Sequence, residues 1–348
     1  MRLAVDYQSV LGQKTGIGVS TFHVIEAIER LRPEWTLLKY STGHNNHLGA
    51  LQRIYWESFQ LPRLILKDKP QFLFSPGFSN PRWSSVPTIL TVHDIIGLIY
   101  PNNQPLGSRF YWSYWQPSCI QKADLIIASS QSTKNDLIQR LHIAEKKINV
   151  IPLGVHLPNK EQIPARDRLR ELYFLSVGTL ETRKNHLQLL QAFHMYLKKG
   201  GHAQLIIVGK DGGEQKNIEA MISELSLQNH VLLKGYVEEQ ELIELYQKAL
   251  ALVNVSLYEG FGLPVLEAMK WGVSGILSNV SSLPEVGGEA ALYVNPQMAH
   301  EITEALLIFE QDDALRSRLE TSALNHVRHF SWQKTGEAMI QLFENFVR

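Results

Sequence analysis

Short apolar runs and amphipathic helical stretches alternate along this chain, and the alternation breaks once. The stretches "RLAVDY", "QFLFSP", "TILTVHD", "LIIASS" and "INVIPLG" read as strands. Val19 to Leu31 and "STKNDLIQRL" read as helices, the second opened by a Ser/Thr cap. Strands that alternate with helices in this way build a parallel sheet with helices on both faces. The break is "VHLPNKEQIPARDRLR", Val155 to Arg170, with two prolines and mixed charge, and it reads as a linker. The alternation then restarts. "YFLSVGTL", "AQLIIVG", "VLLKGYV", "LALVNVS" and "GILSN" are strands; His186 to Lys199, Asn217 to Leu225 and Glu239 to Ala249 are helices.

The expected fold is therefore α/β, with two doubly wound, Rossmann-like domains facing a central cleft. Domain boundaries are expected at 1–157 and 158–331, and 348 residues is a usual length for two such domains. Doubly wound sheets bind ligands beyond the carboxyl ends of their strands. A motif directly after a strand is thus a candidate for chemistry.

"SLYEGFGLPVLEAMKWG" meets that condition, following "LALVNVS". Pro264 suits the first turn of a helix and Gly272 its far end. The N–H groups of Gly260, Phe261, Gly262 and Leu263 then point out of a helix N-terminus, where an anion is favoured and glycines allow close approach. Glu259 on the loop and Glu267 in the helix could each hold hydroxyl groups, with a phosphate between them. A plainer reading has Glu267 favouring the macrodipole and Glu259 solvated.

Arg183 and Lys184 follow the first strand of the second half, at the mouth of the next helix. Cations there oppose the helix dipole. A diphosphate would resolve that conflict; a solvated basic loop is the alternative. In the first half, Gly16 and Gly18 stand between strand and helix, where they could admit phosphate or form a tight turn. They fail as a dinucleotide fingerprint, because the third glycine and the closing acid are missing, which disfavours an NAD oxidoreductase. His93 ends "TILTVH", as a site residue or a hydrogen-bonded core histidine.

"EGFGLPVLEA" resembles the Glu-x7-Glu motif of retaining glycosyltransferases of the GT-B fold, in particular family 4 (group 1). "RKN" at 183–185, the glycine-rich loop at Gly16 and Gly18, and "SSLPEVGGEAALYVNP" resemble further segments of that family. The likeness covers nearly the whole chain, best from Leu175 to Pro296, and is nearest to bacterial mannosyltransferase-like members acting on surface polysaccharides. It implies that Glu259 faces the donor sugar and Glu267 the ribose. By the same likeness Arg183, Lys184 and the Gly260 to Leu263 amides face the diphosphate. It also implies that His93 contacts the sugar, that Tyr236 and Val237 contact the base, and that a helix of about 332–348 packs back on the first domain. No cofactor is expected beyond a nucleotide-sugar substrate, GDP-mannose or a UDP-hexose, with GDP-mannose favoured. No metal is expected: Asp-x-Asp, GxxxxGK[ST] and HExxH are all missing.

The expected partners are a nucleotide sugar and a glycan or lipid-linked glycan acceptor. Lysine plus arginine equal aspartate plus glutamate at 34 each, so no global field favours nucleic acid or an anionic membrane. One cysteine, Cys119, cannot form an internal disulfide, and no signal-peptide pattern or spanning apolar run occurs. These point to the cytoplasm, with peripheral contact at the inner membrane face left open. "RIYWESFQLPRLILK" and "RFYWSYWQ" are the segments for such contact, or else core packing. Two other readings remain: a non-catalytic subunit of the same fold, and a nucleotide-sugar epimerase.

Overall fold

The computed structural model describes residues 1–11, 16–43, 48–77, 79–101, 106–159, 163 and 171–347. Most of the linker, 160–162 and 164–170, and the loop residues 12–15 before Gly16 lie outside the described residues. The chain divides into two compact units. One is Met1–Gly154 with Ser331–Arg348, the other Val155–Phe330.

The first unit carries six parallel strands: β1 (Arg2–Asp6), β2 (Thr36–Tyr40), β3 (Leu73–Ser75), β4 (Thr88–Val92), β5 (Leu125–Ala128) and β6 (Ile148–Val150). Their order is β2-β1-β3-β4-β5-β6. Every residue of β4 is buried, as expected of a parallel strand covered by helices on both faces. Helix α1 (Gly16–Leu31) begins three residues before the expected Val19, so Gly16 and Gly18 lie in its first turn. The C-terminal helix, Trp332–Val347, belongs to this unit. Its Phe343 is fully buried, with its ring centroid 5.2 Å from Phe72 and 5.0 Å from Phe74. Gly336 lets it approach α1: a Cβ there would lie 2.8 Å from the Ala27 methyl. Arg32 pairs with Glu344 at 3.1 Å.

The second unit repeats the design with β7 (Tyr173–Val177), β8 (Gln204–Val208), β9 (Val231–Gly235), β10 (Ala251–Asn254), β11 (Gly275–Ser278) and β12 (Ala291–Val294). The order is β12-β11-β10-β7-β8-β9. Helix α2 (His186–Lys198) follows β7, and α3 (Leu263–Met269) follows β10. Phe174, Phe193, Tyr196 and Phe309 fill the core.

In both sheets the first strand has its successors on opposite sides. Strand order therefore reverses between β1 and β3 in one unit and between β7 and β10 in the other. Loops leaving two such strands diverge and open a crevice, where ligands bind in doubly wound sheets.

Candidate active site

The reversal in the second unit brings together the loops after β7 and β10, which carry the basic pair and the first glutamate. They are stitched by backbone and amide contacts. The Leu257 N–H donates to the Arg183 carbonyl at 2.8 Å. Asn185, left-handed at φ 62°, donates from Nδ2 to the Val255 carbonyl at 3.1 Å and to that of Pro296 at 2.7 Å. Asparagine is among the few side chains that tolerate this backbone. The Thr182–Lys184 turn so held aims both cations at one carboxylate.

That carboxylate is Glu259, only 6% exposed. Lys184 Nζ donates to its Oε1 at 2.5 Å and Arg183 Nη1 to its Oε2 at 2.9 Å. Ser256 Oγ lies 2.8 Å from Oε1. Gly178, at the end of β7, makes room for the lysine: a Cβ there would meet Lys184 Cε at 2.8 Å. Burial alone would push the Glu259 carboxyl up, but Lys184 and then Arg183 more than reverse this and hold it at about 2. The basic pair thus does not face the helix dipole unaided. Arg183 Nε also binds the part-exposed Glu181 at 2.9 Å, so two cations face two carboxylates and the cluster is neutral in sum.

The glycine turn is shaped from behind by serines that the sequence reading passed over. Ser281 Oγ accepts from the Glu259 N–H at 3.0 Å. Ser282 Oγ lies 2.8 Å from the Phe261 carbonyl and 3.0 Å from that of Glu259. Gly262 has φ 112°, a conformation that penalises any side chain, and a Cβ there would press on Leu283 at 2.9 Å. Gly260, Phe261 and Gly262 run straight into α3, with Leu263 its first residue and Pro264 in its first turn. Glu267 lies farther along α3, half-buried, and accepts from the Tyr246 hydroxyl at 2.9 Å. Burial pushes its carboxyl up, with the Tyr246 hydrogen bond pulling the other way. Glu259 and Glu267 are therefore engaged by different partners.

Tyr236 and Val237 follow β9. The tyrosine is 61% exposed and the valine buried. Gly235 before them has φ 69°, and its carbonyl accepts from Gly209 N–H at 2.8 Å.

The other candidates meet at the reversal point of the first unit. His93 Nε2 lies 3.0 Å from the Pro76 carbonyl. A carbonyl only accepts, so Nε2 carries the hydrogen and Nδ1 the lone pair. Burial lowers His93 to about 4, so the ring is neutral at pH 7. Gly77 packs against both this ring and α1: a Cβ would stand 3.9 Å from His93 Nε2 and 2.4 Å from Ile17 Cγ2. Ile17 separates Gly16 from Gly18, so the first turn of α1 and His93 are neighbours through Gly77. Gly16 is exposed and Gly18 buried.

Ser256 stands inside the quoted motif, and Ser281 and Ser282 open "SSLPEVGG" right after β11, so a hydroxyl-rich loop end was the available signal. Tyr246, 21 residues from Glu267, left none.

Known proteins resemble this chain along most of its length. The chain is 29% identical over 321 residues to O-antigen chain mannosyltransferase B of Escherichia coli, spanning 87% of this chain and 84% of that one. It is 27% identical over 296 residues to the serotype-specific mannosyltransferase WbdA of the same species, 79% of this chain but only 36% of that longer one. Sucrose-phosphate synthase from Thermosynechococcus elongatus superposes with a TM-score of 0.78 at 19% identity, over 99% of both chains, which establishes the GT-B fold. The model described as Glycosyltransferase Family 4 matches residues 27–158, and the one described as Glycosyl transferases group 1 matches residues 159–326. With these matches running almost end to end, the chain belongs to the family 4, group 1 glycosyltransferases and is a transferase enzyme.

Proposed function

We propose that this glycosyltransferase moves a hexose, mannose in the first instance, from a nucleoside diphosphate sugar to a glycan or lipid-linked glycan of a surface polysaccharide, with retention of configuration. The observation that carries the reading is the buried Glu259–Arg183–Lys184 cluster at the β7/β10 reversal. The mannosyltransferase names of the relatives support the sugar and the product class.

The anomeric bond to the diphosphate breaks with oxocarbenium character, and negative charge grows on the leaving group. Arg183, Lys184 and the Gly260 to Leu263 turn stabilise that charge, and preorganised donors of this kind act at low reorganisation cost. Before the donor arrives, Glu259 holds both cations in place. Once the diphosphate takes them over, the carboxylate is free to position the sugar. The leaving phosphate oxygen takes the acceptor's proton on the same face. Glu267, oriented by Tyr246, holds the ribose hydroxyls. Tyr236 and Val237 contact the base, His93 contacts the donor sugar, and Gly16 and Gly18 lie against the diphosphate and shape the acceptor pocket. No step in this scheme requires a metal.

The test is a thermal-shift screen of GDP, UDP, ADP and their sugars, with and without magnesium, on wild type and Glu267→Ala. A ligand at a hundred times its Kd stabilises the folded state by about 2.7 kcal/mol. One nucleotide should shift wild type regardless of magnesium and lose most of the shift in the variant. No shift with any nucleotide would overturn the donor assignment.

The acceptor side is proposed to touch an anionic membrane face. Among the described residues no helix is long and apolar enough to cross a bilayer. Three consecutive helical segments, Ala50–Tyr55, Trp56–Gln60 and Leu61–Asp68, nevertheless expose Leu51, Tyr55, Phe59 and Leu66. Arg63, Lys67 and Lys69 are exposed on the same stretch, whose one carboxylate before Asp68, Glu57, is buried. Apolar side chains flanked by cations suit an anionic interface. The protein should sediment with phosphatidylglycerol-containing vesicles at low salt, and Tyr55→Ser/Phe59→Ser should lower the bound fraction at least fivefold. Equal sedimentation of the variant removes this contact.

A further inference from the structure

The first unit holds a second polar cluster, sealed from solvent and unused above. Asp6, Arg53 and Glu57 are 3%, 5% and 0% exposed. Arg53 Nη1 donates to Asp6 Oδ2 at 3.0 Å, and its Nε stands 3.8 Å from Glu57 Oε1. The Ser79 hydroxyl donates to Glu57 Oε1 at 2.5 Å, and Trp115 Nε1 donates to Oε2 at 2.9 Å. Tyr111 Oη lies 2.6 Å from Ser79 Oγ.

Stability alone does not account for such a cluster. Each buried ion loses several kcal/mol of hydration, and apolar residues of equal volume often serve as well or better. The backbone is also bent to make it. Glu57 lies in the π-helical segment Trp56–Gln60, and Tyr111 and Trp115 in a second one, Tyr111–Trp115. Such turns are rare and concentrate at functional sites. Here two of them converge on one carboxylate.

The position supplies the purpose. Asp6 ends β1 and Ser79 follows β3, the two strands at the reversal point of this sheet. Asp6 Oδ1 accepts from the Gln8 N–H at 3.2 Å and so holds the start of the loop toward α1. Ser79 stands just beyond Gly77, which packs on Ile17, and Pro76, whose carbonyl takes the His93 hydrogen.

We propose that Glu57 is a positioning residue for glycosyl transfer: through Arg53–Asp6 and through Ser79 it holds the loops after β1 and β3, and with them His93 and the first turn of α1. The inference rests on the transfer reading above. Burial pushes the Glu57 carboxyl up to about 7 against the pull of Arg53, and Glu57→Gln keeps the volume while removing that ionisable partner of Arg53 and taking the second carboxylate oxygen from Ser79 or Trp115. Ser79→Ala cuts the loop link and takes one hydroxyl partner from Tyr111, but leaves the Arg53–Asp6 pair and the Glu57 charge in place.

The experiment uses the full chain with GDP-mannose as donor and methyl α-mannoside as probe acceptor, and reads kcat, acceptor KM, nucleotide Kd and Tm. In Glu57→Gln, kcat should fall at least tenfold and acceptor KM should rise, while GDP affinity falls by a much smaller factor, because the Arg183–Lys184 pair and Glu267 in the second unit are untouched. Ser79→Ala should shift the same quantities by a smaller factor, and carries the test if the Glu57 variant does not fold. Wild-type kcat and acceptor KM in both variants would overturn this inference alone. So would kcat losses that merely follow Tm and weaken GDP equally. Failure of wild type to turn over or bind any nucleotide sugar overturns the transfer reading itself, and this inference with it.

Discussion

Replacing Glu259 by glutamine is expected to abolish most turnover and to destabilise the second unit by about 3–5 kcal/mol, the usual cost of stranding a buried charge. The carboxylate is 6% exposed and engages both Lys184 and Arg183. Glutamine keeps its shape but presents a neutral oxygen to one cation and an amide N–H2 to the other. The cations then repel each other, and the turn toward α3 loses its anchor.

The pH dependence follows from the same pair. The folded carboxyl is held at about 2 against 4.5 for an unpaired one. A depressed carboxyl contributes stability that is full above its unfolded value and is lost as pH falls through the folded one. The contribution, about 3 kcal/mol, is therefore present above pH ~5 and disappears between pH ~4.5 and ~2. Denaturant unfolding of wild type and Glu259→Gln at pH 6 and pH 2.5 measures it. The gap should be wide at pH 6 and shrink to about 1 kcal/mol or less at pH 2.5. A gap that does not depend on pH would mean that the ion pair contributes nothing to folding.

Lys184→Ala is expected to lower kcat by about 10²–10³-fold, the range for removing one preorganised donor to a developing anion. Its ammonium reaches Glu259 past Gly178, where no side chain fits. Without it, Glu259 keeps Arg183 and Ser256, and the cluster with Glu181 turns net negative. Diphosphate affinity should fall with turnover, whereas Glu267→Ala should weaken nucleosides and diphosphates alike. Competition by GDP and by inorganic pyrophosphate separates the two. Unchanged pyrophosphate inhibition in Lys184→Ala would detach the lysine from the leaving group.

Legibility varied from element to element. "TILTVHD" read correctly as a strand because burial on both faces demands an unbroken apolar run, which leaves a local trace. "EGFGLPVLEA" read correctly as a turn into a helix, since Gly262 and Pro264 satisfy backbone rules that are themselves local. The sequence predicts the start of α1 at Val19, because glycines argue against helix, yet Gly16 and Gly18 occupy its first turn. "RIYWESFQLPRLILK" was open between core and surface, and it is both. Trp56 and Glu57 turn inward while Tyr55 and Phe59 turn out, and the π-helical segment Trp56–Gln60 changes which faces they share. A carboxylate between aromatic residues gave no sign that it would be sealed against Ser79 and Trp115, 22 and 58 residues away.

Residue order alone set the two α/β halves, the break between them, the loops that hold Arg183, Lys184 and Glu259, and the helix that holds Glu267. Each of these rests on periodicity or on a backbone preference spanning a few residues. Which charges neutralise which came from strand order. Lys184 and Glu259 are 75 residues apart, and they meet because β10 pairs with β7 rather than with β9, its predecessor in sequence. Strand pairing is a choice among distant partners with similar apolar patterns, so no short stretch can encode it. The packing of the whole sheet makes that choice, and the ion cluster is its consequence.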